Sequence, residues 1–285
     1  MAAKITAALI KELRDATGAG MMDVKKALEE AEGDVARAKE LIRAAGVAAA
    51  GKREGRKAQE GFVASKVVTE NGAEVGYAVE LNSETDFVAK TPQFVEFGTE
   101  VLDDVVAAKS SSVDEVAKAS SKAGTVEQTV EEAGALFHEH VKLGQFAKIS
   151  GDHVEIYAHK KSAEFPPSIV AMVATDAKGA EVAHEVALQI SAMAPKWLRR
   201  EDVPADIVES ETRVATEKSQ AEGKPEKIIP MIVKGRLNSF YKEVVLLEQE
   251  YVKDTSKTIG DLFKQVGGKA EAFARVEVGK GDEED

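Results

Sequence analysis

The stretch that comes nearest to a catalytic or nucleotide-binding motif is residues 46–52. Its two glycines and its lysine nearly match the loop that binds nucleotide phosphates. A working loop of that kind follows a strand and carries Ser or Thr after the lysine to hold Mg²⁺. Here a helical pattern precedes the glycines, and Arg53 follows the lysine. A nucleotide-binding enzyme is therefore kept as an alternative, but we expect the chain alone to bind no nucleotide.

The histidines and the absence of cysteine argue against metal-dependent or covalent chemistry. His138 and His140 lie two residues apart, which places them on different faces of a helix. Neither has a histidine or a carboxylate three or four residues further on. Without cysteine, disulfides, thiol catalysis and thiolate metal sites are excluded. We predict no catalytic residue, no metal and no cofactor, and interpret the chain as an interaction protein and not an enzyme.

Residues 84–89, with the sequence Glu-Thr-Asp-Phe-Val-Ala, are the most informative segment of the chain. They follow an alternating apolar run at 75–81, which predicts a half-buried strand, and precede Thr91-Pro92, which predicts a helix start. An aromatic ring beside a carboxylate is therefore held at a strand-to-helix corner. Phe87 either packs back into the core or is presented to a partner, and burial frequencies alone favour the core.

The composition restricts the classes of partner. The chain has 285 residues, a formal net charge of −12 and 44% hydrophobic residues. It has no apolar run near the roughly 20 residues that span a bilayer and no block of signal-peptide type, so we expect a cytoplasmic location and no membrane contact. The negative charge argues against a broad phosphate-binding surface and a direct nucleic-acid partner. We interpret the basic stretch at 52–57 as a solvated linker and residues 280–285 as an acidic tail.

The N-terminal pattern predicts a small helical domain. Residues 1–46 contain three short helical segments, and Thr6 can cap the first of them. A bundle of this size has no room for a cleft, so we predict a docking module. Residues 47–60 are rich in Ala, Gly, Lys and Arg and are predicted to form a linker.

The pattern after residue 60 predicts two related α+β units with antiparallel sheets. The first unit, at 61–145, has two strands joined at Asn71-Gly72, a helix after Pro92 and a further helix over 126–144. The second unit covers 146–202 and 243–279 and is interrupted by a helical hairpin at 203–242. Its equivalent corner carries Ala177 in place of Phe87, so the scaffold itself does not need an aromatic ring there.

Two motifs carry a resemblance to a known family. They are Leu-Arg-Asp-Ala-Thr-Gly-Ala-Gly-Met-Met-Asp-Val-Lys-Lys-Ala-Leu at 13–28 and Thr-Asp-Phe-Val-Ala at 85–89. In order and spacing the whole chain resembles the bacterial translation elongation factor Ts family. The resemblance implies a ubiquitin-associated-like N-terminal module and a two-part core with an inserted hairpin. It also implies an activity, because family members bind the GTPase elongation factor Tu and speed the release of GDP.

The resemblance implies partner-binding roles for Leu13, Met21, Met22, Thr85, Asp86, Phe87, Val88, His159 and Val252. The first three would dock the N-terminal module, and two adjacent methionines cannot both point inward on one helix, so at least one should be exposed. The pair Asp86-Phe87 would intrude beside the nucleotide site, which now favours presentation of Phe87. His159 and Val252 would make further contacts, although their surroundings match the family less well.

Two matters stay open at this point. A docking protein without exchange activity is the main alternative function. The hairpin at 203–242 is a candidate surface for a homodimer, but Pro230 lacks a backbone donor and predicts a bent or delayed second helix.

Overall fold

Three helices form the N-terminal bundle: α1 (Ala7–Thr17), α2 (Met21–Glu30) and α3 (Val35–Gly51). The structure is a computed structural model that describes residues 5–51 and 55–281. The Thr6 hydroxyl caps α1 by accepting the N–H of Leu9 at 3.2 Å, and Gly18 ends the helix at φ +69°, in the left-handed region that favours glycine. The bundle closes around a small buried core: Leu13, Val24, Ala27, Leu28, Ala31 and Ala38.

The third helix runs beyond the end predicted at residue 46. Its backbone stays helical through Gly51, so the glycines of the nucleotide-loop alternative lie in a helix and not in a phosphate-binding loop. Residues 52–54, which include the lysine of that motif and part of the basic stretch, fall outside the described residues, as does the tail at 282–285.

The first α+β unit follows in chain order. Its elements are β1 (Glu60–Glu70), β2 (Ala73–Ser83), α4 (Asp86–Ala89), α5 (Pro92–Ala108), α6 (Val113–Lys118), β3 (Ser120–Ser121), β4 (Gly124–Thr125), α7 (Val126–Phe137) and β5 (Lys142–Gly151). The antiparallel sheet has the order β1-β2-β5, and β3 pairs with β4 in a small ribbon. Asn71 and Gly72 both have positive φ in the β1–β2 turn, as an Asn-Gly hairpin requires.

The second unit contains the inserted hairpin. Its elements are β6 (His153–His159), β7 (Ile169–Thr175), α8 (Ala180–Met193), α9 (Ala205–Ala221), α10 (Ile229–Val244), β8 (Glu250–Tyr251), β9 (Asp254–Thr258), α11 (Ile259–Val266) and β10 (Ala270–Glu277). The antiparallel sheet has the order β10-β7-β6. The predicted α+β class with antiparallel sheets is confirmed. In the described part of the chain, every helix is too short or too polar to cross a membrane.

The two sheets pack face to face, and helices cover their outer faces. Helices α5 and α7 lie on the outer face of the first sheet, and α8 and α11 lie on that of the second. Where the two sheets contact each other, the side chains of β2 are small. A Cβ on Gly76 would come within 2.8 Å of a methyl group of Val154. Strand β2 is therefore buried on both faces from Val75 to Ser83, and the prediction of a half-buried strand is wrong.

The prediction for residues 126–144 also needs correction. The helix ends at Phe137, because His138 adopts φ +57°, and β5 then begins at Lys142. Strand β5 pairs with β2, so the boundary placed between 145 and 146 cuts through a strand of the first sheet. The strand was missed because it lies at the sheet edge and is only partly buried, which leaves little hydrophobic alternation in its sequence.

The inserted hairpin forms as predicted, and its second helix begins only at Ile229. Helices α9 and α10 meet through Ala215, Ile229 and Val233. Pro230 lies in the first turn of α10, where a backbone N–H has no partner within the helix, so the proline causes no bend. Residues 244–247 end α10 and enter a short 3₁₀ turn.

The aromatic cluster under α5 offers a test of this fold. Phe94 is fully buried and makes edge-to-face contacts with Phe62 and Phe137, at centroid distances of 5.8 and 5.1 Å. Phe94→Ala should lower the free energy of unfolding by about 3–5 kcal/mol, since it leaves a cavity in a packed core. Chemical denaturation measures this loss. Phe87→Ala is the matched control and should change stability by less than about 0.5 kcal/mol; equal losses in both variants would contradict this core.

Candidate functional site

The segment that follows β2 makes two turns in quick succession. The Thr85 hydroxyl accepts the N–H of Val88 at 3.5 Å and caps α4, and the Thr91 hydroxyl accepts the N–H of Phe94 at 3.2 Å and caps α5. Pro92 lies in the first turn of α5, as its fixed φ favours. The predicted strand-to-helix corner therefore exists, with a single helical turn inserted between strand and long helix.

This turn exposes one apolar ring. Ala89 is buried and Val88 packs partly against the core, whereas 71% of Phe87 is accessible to solvent. Lys90 lies over the ring, with its Nζ 4.6 Å from the ring centroid and 3.6 Å from a carboxylate oxygen of Asp86. The Phe87 ring and the Asp86 carboxylate therefore lie on the same surface, where Lys90 contacts both of them.

Two carboxylates fasten the corner to the loop between α7 and β5. Glu139 accepts hydrogen bonds from the backbone N–H of Thr85, at 3.0 Å, and from its hydroxyl. In return, Glu84 accepts the backbone N–H of His140 at 2.7 Å. Glu84 also forms an ion pair with Arg56 at 3.2 Å. We call these contacts between residues 84–85 and 139–140 the corner clamp.

The N-terminal bundle has its own exposed apolar residues. Met21 and Met22 begin α2 and are 59% and 75% exposed, which confirms that at least one of them faces solvent. Leu13 is only 2% exposed and belongs to the bundle core. Burial leaves Leu13 little apolar surface to offer in the free chain, and its contact with a partner stays a prediction. Its helical spacing fitted the core equally well.

The bundle packs against α7, the helix that leads into the corner clamp. Gly46 of α3 lies so close to α7 that a Cβ on it would come within 2.5 Å of the Ala135 Cβ. Arg43 forms an ion pair with Glu132 of the same helix. The position of the two methionines and that of the Phe87 corner therefore both depend on α7.

The structure places His159 and Val252 in the second unit. His159 is exposed at the end of β6, and the loop that follows it carries Phe165, whose ring centroid is 5.5 Å from Lys90 Nζ. This loop is joined to the first sheet by the hydrogen bond from the Val63 N–H to the Pro167 carbonyl, at 2.9 Å. The region of His159 therefore reaches the surface of the corner.

Val252 lies in the turn between β8 and β9, and its N–H donates to the buried Gln189 at 3.0 Å. Burial, together with a hydrogen bond to Glu185, raises the pKa of the neighbouring Tyr251 to about 12. The pKa of Glu185 is lowered by hydrogen bonds, first from Lys253 and then from Tyr251. These shifts move both groups away from neutral pH, which suits a fixed structural turn and not proton transfer.

Several residues of the surface were missed by sequence reasoning. Glu139 and Phe165 carry no local signal, because their partners are distant in sequence. Lys90 does carry one, since it lies four residues after Asp86, the spacing of an ion pair along a helix. Glu84 was noticed only as part of a motif. Within residues 5–51 and 55–281 the structure has no group of three His, Asp or Glu side chains arranged to hold a metal ion.

Comparisons with known proteins agree on one family. A family model described as "Elongation factor TS" matches residues 84–280. A protein named elongation factor Ts from Bifidobacterium longum subsp. infantis is 75% identical over 282 residues, covering 99% of this chain and 100% of its own length. Its namesake from Kocuria rhizophila is 50% identical over 278 residues, covering 97% of this chain and 99% of its own length.

Oxidation with dilute peroxide tests the exposure of the methionines. Met21 and Met22 should be converted to sulfoxide long before Met172, because Met172 is completely buried between the sheets. Peptide mass spectrometry over a time course measures the three rates. Denaturant provides the control, since it should make Met172 react as fast as the other two. Equal protection of all three in the native chain would contradict the proposed surface.

Proposed function

The chain belongs to the elongation factor Ts family, and we propose that it is a guanine nucleotide exchange factor for elongation factor Tu in translation elongation. In this proposal it works in the cytoplasm, makes and breaks no covalent bond and needs no cofactor. The observation that carries the proposal is the exposed ring of Phe87 beside Asp86, held on a corner that is fastened to the core.

The exposed ring of Phe87 offers apolar surface that a partner can cover. In the described ranges of the chain, Phe87 is the one Phe, Tyr or Trp side chain that is exposed. Burying such a ring contributes about 2 kcal/mol of binding free energy. The interaction is apolar, so the net charge of −12 does not oppose it. These properties support the insertion of Phe87 into an apolar gap of a partner protein.

Exchange follows from thermodynamic linkage. GDP and Mg²⁺ stabilise the nucleotide site of a GTPase through phosphate and metal contacts. In our proposal Phe87 wedges between elements beside that site and displaces the groups that order Mg²⁺. The factor then binds the nucleotide-free GTPase more tightly than the GDP form. By reciprocity it lowers the affinity for GDP by the same factor, and the nucleotide leaves faster.

The proposal assigns separate tasks to the two apolar surfaces. Met21 and Met22 supply adaptable contact area for docking, as exposed methionines do at other binding surfaces. Phe87 displaces the groups of the GTPase that order Mg²⁺. Asp86 is held beside the ring by Lys90 and is positioned to meet polar groups of the partner. His159, Thr85, Val88 and Val252 complete the proposed contact set.

Stopped-flow release of a fluorescent GDP analogue from elongation factor Tu tests the function directly. Addition of the chain should accelerate release strongly and in a saturable manner. Binding without acceleration would favour the docking protein and overturn the exchange function. Absence of both, with a folded chain and its cognate GTPase, would remove elongation factor Tu as the partner.

Phe87→Ala separates the wedge from docking. Loss of about 2 kcal/mol of contact made during nucleotide displacement should lower the maximal release rate by roughly 30-fold. The half-saturating concentration should change much less, because docking through α2 remains. Val113→Ala, which trims another exposed apolar side chain, is the control. An unchanged maximal rate in Phe87→Ala would contradict the wedge.

Substitution of the two methionines should give the opposite pattern. In Met21→Ser with Met22→Ser, loss of apolar contact should raise the half-saturating concentration by about tenfold, while the maximal rate at saturation is retained. Met193→Ser, on another exposed surface, should leave both parameters unchanged. A lower maximal rate with an unchanged half-saturating concentration would show that the methionines do not act in docking.

A further inference from the structure

The helix that presents Phe87 cannot form by its own stability. Helix α4 has four residues, whereas isolated helices shorter than about 12 residues are marginal in water. Its conformation must therefore be imposed by contacts from outside the segment. These contacts include the hydrogen bond from the Ser83 hydroxyl to the Thr85 carbonyl, the packing of Val88 and Ala89 against the core, and the bonds from Thr85 to the loop after α7.

Glu139 makes the most direct of these contacts. Its two carboxylate oxygens accept both donors of one residue, the N–H and the hydroxyl of Thr85. The hydroxyl hydrogen of Thr85 points to Glu139. The lone pairs of the hydroxyl oxygen can therefore accept the N–H of Val88, and this bond caps α4. The negative charge of Glu139 thus orients the cap, and charge-assisted hydrogen bonds of this kind are about twice as strong as neutral ones.

The second half of the corner clamp holds Glu139 in place. The backbone N–H of His140 donates to Glu84 at 2.7 Å, so the two segments exchange hydrogen bonds in both directions. His140 Nδ1 lies 2.8 Å from the carbonyl oxygen of Arg56. A carbonyl can only accept, so Nδ1 carries the proton in this contact. The loop is thereby tied to the segment that follows the N-terminal bundle.

The corner clamp also connects the Phe87 corner to the N-terminal helical bundle. Glu139 comes directly after His138, which ends α7, and α7 is the helix on which α3 packs through Gly46 and Ala135. Packing contacts and hydrogen bonds therefore connect the helical bundle to Thr85 through α7 and Glu139. Without this connection, docking of the bundle would not fix where the Phe87 ring arrives.

We propose that Glu139 is a positioning residue for nucleotide exchange, which acts through Thr85 to hold Phe87 in its presenting orientation. This inference rests on the proposed exchange function. It assigns to Glu139 an effect on the rate of GDP release at saturation, and not on docking. The physical reason is that misplacing a reacting or wedging group by about 1 Å can reduce a rate by up to a hundredfold, even when binding is intact.

The test compares Glu139→Gln with Glu131→Gln in the full chain. Glutamine keeps the shape of the side chain but places an amide donor against the donors of Thr85. Glu139→Gln should lower the maximal release rate about tenfold and leave the half-saturating concentration within about twofold. Glu131→Gln removes the same charge from an exposed position on α7 and should match the wild-type chain.

A second readout does not depend on the partner. Amide hydrogen exchange at Thr85 and Val88 in the free chain should be about tenfold faster in Glu139→Gln than in the wild-type chain, because the clamp protects the first amide and orders the cap for the second. Unchanged exchange at both amides would overturn the positioning role. If the wild-type chain failed to release GDP, the proposed function would fall, and this readout would still decide whether Glu139 holds the corner.

A double-mutant cycle separates positioning from direct contact. Thr85→Val removes the hydroxyl that donates to Glu139 and keeps the backbone N–H. If Glu139 acts through Thr85, then Glu139→Gln should reduce the rate less in the Thr85→Val background than in the wild-type background. Strict additivity of the two changes, or an unchanged maximal rate in Glu139→Gln alone, would overturn the inference.

Discussion

The position of the exposed corner depends on the close contact between the two sheets across β2. Gly76 and Ala78 bring the backbone of β2 against Val154 and Met172 of the second sheet, and larger side chains would not fit there. The opposite face of β2 carries the aromatic core under α5. A strand that is packed on both sides has little freedom to shift or twist. The chain that leaves it at Ser83 therefore starts from a fixed point.

Carboxylates act in this acidic chain as internal anchors for backbone amides. Glu80 is 1% exposed and accepts the N–H groups of Gln145 and Gly279 as well as the side-chain amide of Asn82. It thus joins the C-terminal segment to β2. Glu139 does the same for the corner. Buried or half-buried charges of this kind are stable only when donors surround them, so each anchor also imposes a definite loop conformation.

The exposed apolar surfaces are small and separated along the chain, and in the proposed function one holds the partner while the other deforms it. The methionines at the start of α2 can adapt their shape. Phe87, in contrast, is a stiff ring on a short helix that α7 and its following loop hold in place. Under the proposed function, docking through the methionines would supply binding energy that the rigidly held Phe87 uses to displace groups of the partner.

Local signals determined much of this protein from the sequence alone. Helical spacing and breaks indicated the N-terminal helices, Asn71-Gly72 indicated the hairpin because both residues tolerate positive φ, and Thr91-Pro92 marked a helix start. The motifs at 13–28 and 85–89 together indicated the family. These features depend on neighbours within a few residues, which is the range over which sequence patterns are informative.

Tertiary structure alone decided the rest. Leu13 fitted the core and a docking surface equally well until the packing of three helices buried it. Strand β5 had little pattern of its own and became a strand by hydrogen bonding to β2. The bonds from Thr85 to Glu139 span a gap of 54 residues, over which a single sequence carries no pairing information. Contacts of that range are set by the fold, and here they determine how Phe87 is presented.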